Sequence, residues 1–165
     1  MNHIKMYTKV YEKQMLVRAL KIFSHFCEIV FPALFLFVLY RAYLISLDTA
    51  ISIGFFSCLF FIVITVARRI IDAPRPKDVF PELRFLKSEG RSPAFPSRHT
   101  FSAALISVLA HYFSGPVGCA FLFLSALLAG ARFLLGKHFL RDVVCGFLLG
   151  AVSGTLVLVF TYAVS

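Results

Sequence analysis

Long apolar runs dominate this chain and restrict what it can fold into. Five runs, each roughly long enough to cross the ~30 Å hydrocarbon core of a bilayer as a helix, cover residues 26–44, 50–67, 97–113, 117–135 and 142–163. Hydrophobic residues make up 59% of the sequence, whereas a soluble domain is about 45–50% apolar. The pattern predicts an all-α integral membrane bundle of about five transmembrane helices, folded as a single domain over residues 1–165.

The segment before the first run, residues 1–24, has a different pattern. Lys5 and Lys9 recur at helical spacing, while Tyr7 and Tyr11 recur on another side. This is typical of an amphipathic helix in the membrane interface, and we predict such a helix here, with an irregular basic tail as the alternative. The segment lacks a short apolar core followed by a cleavage site, so we expect no cleaved signal peptide.

The net charge of +9 comes from basic residues that flank the apolar runs. In that position Lys and Arg set membrane topology and attract anionic headgroups, so we expect membrane lipids and not nucleic acid as partners. The four cysteines lie within or beside apolar runs without paired spacing. They are interpreted as small apolar residues, and neither a disulfide nor a metal site is predicted.

Three polar motifs interrupt the apolar pattern at the ends of the runs. They are Arg68-x6-Arg75-Pro76, Pro96-Ser97-Arg98-His99 and Arg132-x5-His138-x3-Asp142. If all five runs cross the membrane, the second run ends, the third begins, the fourth ends and the fifth begins on one face. The motifs, which span residues 68–142, are therefore expected to meet at one membrane surface.

The arginines and the serine of these motifs are suited to binding phosphate. Arg68, Arg75 and Arg132 each offer a planar fork of donors that matches phosphate oxygens. Ser97 adds a hydroxyl, and the helix that starts beside it offers free backbone N–H groups. A single arginine at the end of a span is usually a topology anchor, so the interpretation depends on the three motifs together.

The histidines and the aspartate are suited to phosphate transfer. His99 and His138 are the candidates for nucleophile and acid, because imidazole titrates near neutrality. Asp142 follows His138 by four residues, so a helix that begins early enough would place the carboxylate beside the ring. There it would fix the tautomer and stabilise the imidazolium, although such a pair in isolation is often a surface salt bridge.

The order and spacing of the three motifs resemble those of the type-2 phosphatidic acid phosphatase family, which includes the vanadium haloperoxidases. The resemblance implies that His138 forms a phosphohistidine, that Asp142 orients it, and that His99 protonates the leaving alkoxide and later activates water. It also implies a phosphate cradle made by Arg68, Arg75, Ser97 and Arg132. The family's hydrolases need no metal, so no cofactor is expected.

The chain departs from the family pattern at several positions. Arg68 stands where the family usually has Lys, and Arg98 stands where it usually has Gly. Ala131 replaces a small hydroxylic residue or glycine. By the predicted spans, we expect one N-terminal span fewer than in six-span members of the family. Because the histidines and the aspartate are intact, these departures bear on substrate preference more than on chemistry.

The resemblance implies a membrane lipid phosphatase that acts on a phosphomonoester or pyrophosphate of a lipid. Substrates of the phosphatidic acid, phosphatidylglycerol phosphate or polyprenyl pyrophosphate type are implied. One alternative is a lipid phosphotransferase that uses the same site, and another is a non-catalytic lipid-binding membrane protein. A haloperoxidase is a third, although the soluble character that usually goes with that activity is absent.

Three further features of the sequence bear on the site and its surroundings. The proline-rich connection over residues 70–95 is expected to form a functional loop or lid. Glu28, near the start of the first run, is interpreted as an interfacial carboxylate without a functional role, with a buried functional carboxylate as the alternative. Gly146, Gly150 and Gly154 form a stripe for close helix packing inside the bundle, with a homodimer contact as the weaker alternative.

The side of the membrane that carries the motifs is read from the basic residues. By the predicted spans, every Lys and Arg except Arg41 lies on the motif side. The positive-inside rule then predicts a cytoplasmic active-site face in the cell membrane. Many bacterial members of the family that the chain resembles work on the outer face, so an extracytoplasmic site is the alternative.

Overall fold

The computed structural model describes residues 2–80, 83 and 93–164, and within these ranges it contains helices and no strands. The helices are α1 (Asn2–Glu12), α2 (Gln14–Tyr43), α3 (Leu47–Ile71), α4 (Pro76–Val79), α5 (Arg98–Phe113), α6 (Gly115–Leu134) and α7 (Leu140–Val164). Four of them, α2, α3, α6 and α7, are long and apolar enough to cross a membrane. The predicted all-α membrane bundle is confirmed.

The third predicted span, residues 97–113, corresponds to α5, which forms the centre of the bundle. It has 16 residues, which gives a length of about 24 Å, shorter than a span of about 20 residues. It packs against α2, α3, α6 and α7, and Ala103, Ala104, Ser107 and Ala110 along it are buried. Small side chains let the neighbouring helices approach closely, so α5 is enclosed by protein along most of its length.

The glycine stripe of α7 faces α5. A Cβ added at Gly146 would lie 2.6 Å from the carbonyl oxygen of Ser97, and one added at Gly150 would lie 2.2 Å from that of Phe101. All three glycines of the stripe are buried. They therefore serve packing within the bundle, and the surface considered for a homodimer contact is covered by α5.

The N-terminal helix is shorter than the expected 1–24 segment. Helix α1 ends at Glu12, Lys13 has non-helical backbone angles, and residues 14–24 are the first turns of α2. Residues 14–24 contain no Gly or Pro, so nothing interrupts the helix before the apolar run. The resulting 30-residue helix is about 45 Å long, and it extends beyond a ~30 Å hydrocarbon core.

The outer surface of the bundle is apolar. Phe37, Phe55, Val63 and Leu148 are about half exposed or more, and they lie on α2, α3 and α7. Lipid is the environment that such a surface requires, since a soluble protein rarely exposes contiguous apolar patches of this kind. The chain is an integral membrane protein.

Residues 81, 82 and 84–92 of the predicted loop over residues 70–95 lie outside the described residues. Its described parts are residues 70–80, which include the short helix α4, then Leu83 and residues 93–95. Leu83 is fully buried and packs in a small cluster with Tyr7, Phe80 and Phe133. This cluster joins α1, the connection after α4 and the end of α6.

Candidate active site

Arg68, in the last turn of α3, links the first motif to the second through hydrogen bonds. Its side chain is buried. Its Nη1 atom donates to the carbonyl of Ala94 at 3.2 Å and to that of Pro96, and its Nη2 atom donates to that of Pro93. These bonds fix the segment that leads into α5. Arg68 thus holds backbone as well as carrying charge, which its spacing alone did not indicate.

Ser97 joins the start of α5 to the start of α7. It is fully buried, and its backbone N–H donates to the carbonyl of Asp142 at 2.9 Å. It occupies the predicted N-cap position of α5, but its hydroxyl makes no capping bond to the backbone. Instead that oxygen accepts a hydrogen bond from the Thr100 hydroxyl at 3.1 Å.

The turn after α6 folds the third motif back on itself. The Lys137 N–H donates to the carbonyl of Arg132 at 3.1 Å, and the Gly136 N–H donates to that of Phe133 at 2.9 Å. Together with a φ of 66° at Gly136, these bonds form a Schellman motif, for which glycine is the favoured residue. The reversal places His138, only 3% exposed, next to the end of the helix that carries Arg132.

The carboxylate of Asp142 contacts both the start of α7 and the ring of His138. Its Oδ2 accepts the backbone N–H of Phe139 at 2.8 Å, which is the role of a carboxylate at the third position of a helix. The same oxygen lies 3.7 Å from Nδ1 of His138, an ion-pair distance that is too long for a hydrogen bond. The predicted proximity required a helix that begins early enough to include both residues. Helix α7 begins at Leu140, after His138, so the capping turn brings the pair together instead.

The surroundings of His138 favour a neutral imidazole. Burial lowers the pKa of His138 from its ordinary value of 6.5, and the positive charges of Arg75 and Arg68 lower it further. The Asp142 carboxylate acts in the opposite direction. A neutral ring has an unshared electron pair on one nitrogen, which is the form that can act as a nucleophile near neutral pH.

Glu28 contacts two of the candidate site residues, although the sequence favours an interfacial carboxylate without a functional role. Its Oε1 accepts a hydrogen bond from Nη2 of Arg132 and lies 3.6 Å from Nε2 of His99, while its Oε2 lies 3.2 Å from Nδ1 of His25. A signal was present in the sequence, because a carboxylate in an apolar run requires a cationic partner. The motif arginines were the available candidates.

A cavity opens from this cluster into the apolar part of the bundle. It has a volume of about 450 Å³, with Glu28 and His99 at its polar end and Phe31, Phe61 and Ile106 along its wall. A second cavity of about 260 Å³ shares Phe61 and Ile106 with the first and continues between α2, α3 and α5. Polar groups thus lie next to cavities whose apolar lining matches the chain of a lipid.

Helix α1 packs against the turn that carries His138. The Tyr11 hydroxyl donates to the carbonyl of Leu135 at 3.2 Å, and the Tyr7 ring meets that of Phe133 edge to face with centroids 6.0 Å apart. Burial raises the pKa of Tyr7 to about 12, and the charge of Asp142 adds to the shift. The tyrosine side of this amphipathic helix therefore contacts protein, while Lys5 and Lys9 are exposed.

The three motifs meet at one end of the bundle. Arg68 reaches the segment before α5, and Ser97 contacts Asp142. The α6–α7 turn holds His138 next to the end of the helix that carries Arg132. Arg75 precedes α4, and its backbone N–H donates to Asp78 Oδ2 at 3.1 Å; its charge influences His138. His99 is the most accessible of the predicted groups, with 43% of its side chain exposed.

Comparison with known proteins agrees with this architecture. Residues 49–164 match the model of the PAP2 superfamily. A solved transmembrane PAP2-type phosphatidylglycerolphosphate phosphatase from Bacillus subtilis has a similar fold, with a TM-score of 0.75 and 21% sequence identity over 99% of this chain and 86% of that chain. A search of curated proteins gave no match. Because the matched region covers most of the chain and contains all three motifs, the chain belongs to the PAP2 superfamily.

Proposed function

We propose that this protein is a membrane lipid phosphatase that hydrolyses a phosphomonoester or pyrophosphate of a lipid. Phosphatidic acid, phosphatidylglycerol phosphate and polyprenyl pyrophosphate are the candidate substrate types. The observation that carries the proposal is the position of His99, Arg132 and the His138–Asp142 pair at the end of a bundle with an apolar cavity beside them. Membership of the PAP2 superfamily supports the same reaction class.

In the first chemical step, His138 attacks the phosphorus atom. Its Nδ1 faces Asp142, so Nε2 is the nitrogen that forms the bond to phosphorus while the bond from phosphorus to the lipid oxygen breaks. His99 gives a proton to the departing oxygen. Asp142 stabilises the positive charge on the phosphorylated ring, and the arginines stabilise the charge on the equatorial oxygens.

In the second step, water replaces the histidine. The neutral His99 accepts a proton from water, the resulting hydroxide attacks phosphorus, and the bond between phosphorus and Nε2 of His138 breaks. Inorganic phosphate leaves, and both histidines regain their starting protonation. A phosphotransferase would use the same first step and pass the phosphoryl group to an acceptor other than water.

The cavity supports a lipid as the substrate. With the phosphate at Arg132 and His99, an acyl or prenyl chain would extend along Phe31, Phe61 and Ile106, which line the cavity wall. The chain of a lipid is already in apolar surroundings in the bilayer, so the cavity would accommodate it while the contacts to the phosphate supply most of the binding energy. The phosphate group would stay at the membrane surface, where water can reach it.

The test is phosphate release from a panel of lipid phosphates by the protein purified in detergent, with EDTA present. We expect wild type to release phosphate and His138→Ala to abolish release. His111→Ala is the matched control, because His111 lies at the opposite end of α5 and contacts the carbonyl of Gly115. Activity that survives His138→Ala would overturn the site, and no release by folded wild type would favour the phosphotransferase or the non-catalytic alternative.

A further inference from the structure

Glu28 brings a negative charge into a site built to bind an anion. Its carboxylate contacts Arg132 and His99, two residues of the proposed phosphate site. Its side chain remains 35% exposed, and it lines the cavity that leads between the helices. A carboxylate at that place affects what can bind next to it.

Arg132 can bind a phosphate oxygen without releasing Glu28. One terminal nitrogen, Nη2, is bonded to the carboxylate. Its Nε is buried and has no hydrogen-bond partner among the described residues. A guanidinium group offers five N–H donors, so donors are left for phosphate while the carboxylate stays where it is.

The carboxylate lies on the side where the leaving group would depart. His99, which would protonate the leaving oxygen, has its Nε2 3.6 Å from Oε1 of Glu28. The apolar wall that would hold the lipid chain begins one helical turn after Glu28, at Phe31 and Pro32. A group attached between the reacting phosphorus and the lipid chain would therefore pass beside this carboxylate.

We propose that Glu28 is a specificity-determining residue that selects lipid phosphomonoesters with an uncharged leaving group over lipid pyrophosphates. The inference rests on the proposed lipid phosphatase function and names the substrate class within it. In a phosphomonoester, the group beside Glu28 is a neutral glycerol or alcohol carbon. In a pyrophosphate it is a second phosphate, and the negative charge of the Glu28 carboxylate repels that phosphate at close range.

The other charged groups around Glu28 fit this assignment. Arg132 is shared with the reacting phosphate, and His25 contacts the outer oxygen of the carboxylate from a position that is 75% exposed. Arg98 also lines the cavity, but it is exposed at the first residue of α5. Its positive charge attracts anions to the cavity, whereas the carboxylate of Glu28 lies next to His99.

The experiment compares wild type with Glu28→Gln, which keeps the size of the side chain and removes its charge. We measure kcat/KM for phosphatidic acid and for farnesyl pyrophosphate. The variant is expected to raise the ratio of pyrophosphate to phosphomonoester activity about tenfold or more, because the repulsion between neighbouring anions is lost. Arg98→Gly is the matched control from the same cavity, and it should lower that ratio or leave it unchanged.

A binding measurement tests the inference independently of turnover. Calorimetric titration with inorganic phosphate and with inorganic pyrophosphate should show that Glu28→Gln strengthens pyrophosphate binding more than phosphate binding. An equal gain for both ions, or an unchanged ratio, would overturn the proposal. If the wild type hydrolyses neither lipid, the proposed function fails while the titrations still decide the role of Glu28.

Thermal unfolding in detergent checks that the variant is folded. If Glu28→Gln does not fold, Glu28→Asp replaces it, because the shorter side chain draws the charge back toward α2 without removing it. A smaller change of the activity ratio in the same direction is then expected. A ratio for folded Glu28→Asp that equals that of wild type would contradict the proposal.

Discussion

Nδ1 of His138 lies 3.7 Å from Oδ2 of Asp142, and that same oxygen accepts the backbone N–H of Phe139. One carboxylate thus joins the proposed nucleophile to the start of α7. Asp142 is fully buried, and its backbone carbonyl also accepts the N–H of Ser97 from α5. The position of His138 is consequently fixed by the ends of two packed helices and does not depend on a flexible loop.

Replacing Asp142 by Asn should separate catalysis from stability. The amide oxygen of Asn can still accept the Phe139 N–H, but the charge that supports a phosphorylated imidazolium is lost. We expect kcat to fall by roughly 10²-fold or more, with a small change in the unfolding temperature. Asp142→Ala should also lose the cap, which costs about 1 kcal/mol. Equal activity of wild type and Asp142→Asn would contradict the orienting role.

The pH profile should report the lowered pKa of His138. Because the neutral ring is the proposed nucleophile and its pKa is lowered from 6.5, activity should persist below the pH at which an ordinary histidine becomes protonated. The charge of Arg75 contributes to that lowering. Arg75→Gln should therefore move the acidic limb of kcat/KM toward higher pH, whereas Asp142→Asn, which removes an opposing effect, should move it toward lower pH.

The measurement is kcat/KM against pH on one substrate for wild type and both variants. Ionisation of the substrate phosphate is the same in all three, so the differences between profiles report on the enzyme. Acidic limbs that coincide in the three proteins would show that His138 does not control them.

The order of motifs and spans was sufficient to predict an all-α membrane bundle, and to expect the motifs at one membrane surface. These features depend on local patterns: apolar runs of a given length, and polar residues where each run ends. The sequence pattern does not predict the capping turn that joins His138 to Asp142. The i, i+4 spacing suggested proximity, but the start of α7 at Leu140 depends on tertiary packing.

Glu28 and Arg68 make contacts that local sequence patterns do not predict. The position of Glu28 near the start of an apolar run favours the membrane interface. The helix that carries it starts at Gln14, and its depth depends on how far α2 extends beyond the membrane. Arg68 bonds carbonyls that lie 25 to 28 residues further along the chain, and no periodicity encodes such a contact. Both are pairings between distant segments.

Arg68 should contribute to stability as well as to charge. Its fork holds the carbonyls of Pro93, Ala94 and Pro96, and hydrogen bonds to charged groups contribute about 1.5–3 kcal/mol each. Arg68→Met should therefore lower the unfolding temperature strongly. Arg68→Lys keeps the charge but lacks the planar fork, so an intermediate loss is expected. A residue that served phosphate binding alone would raise KM in both variants without changing their thermal unfolding.

The contact between α5 and α7 should tolerate no added side chain at Gly150. A Cβ there would lie 2.2 Å from the Phe101 carbonyl oxygen, so Gly150→Ala must push two packed helices apart. We expect a clear drop in the unfolding temperature in detergent. Gly130→Ala on α6 is the matched control, because a Cβ there meets nothing within 4 Å and alanine favours a helix by roughly 0.5–1 kcal/mol. Equal behaviour of the two variants would contradict this packing.

The membrane orientation of the site can be tested at the C-terminus. Helix α7 begins at the site, where Asp142 is its third residue, and ends at the opposite side of the bundle. The C-terminal end of α7 and the site are therefore expected on different sides of the membrane. The basic residues are concentrated at the site end, and this bias survives when the three motif arginines are discounted. By the positive-inside rule we propose a cytoplasmic site. A reporter fused after Ser165 that is active only outside the cytoplasm should then be active. A reporter that is active only in the cytoplasm would place the site on the outer face, as in many bacterial members of the family that the motifs resemble.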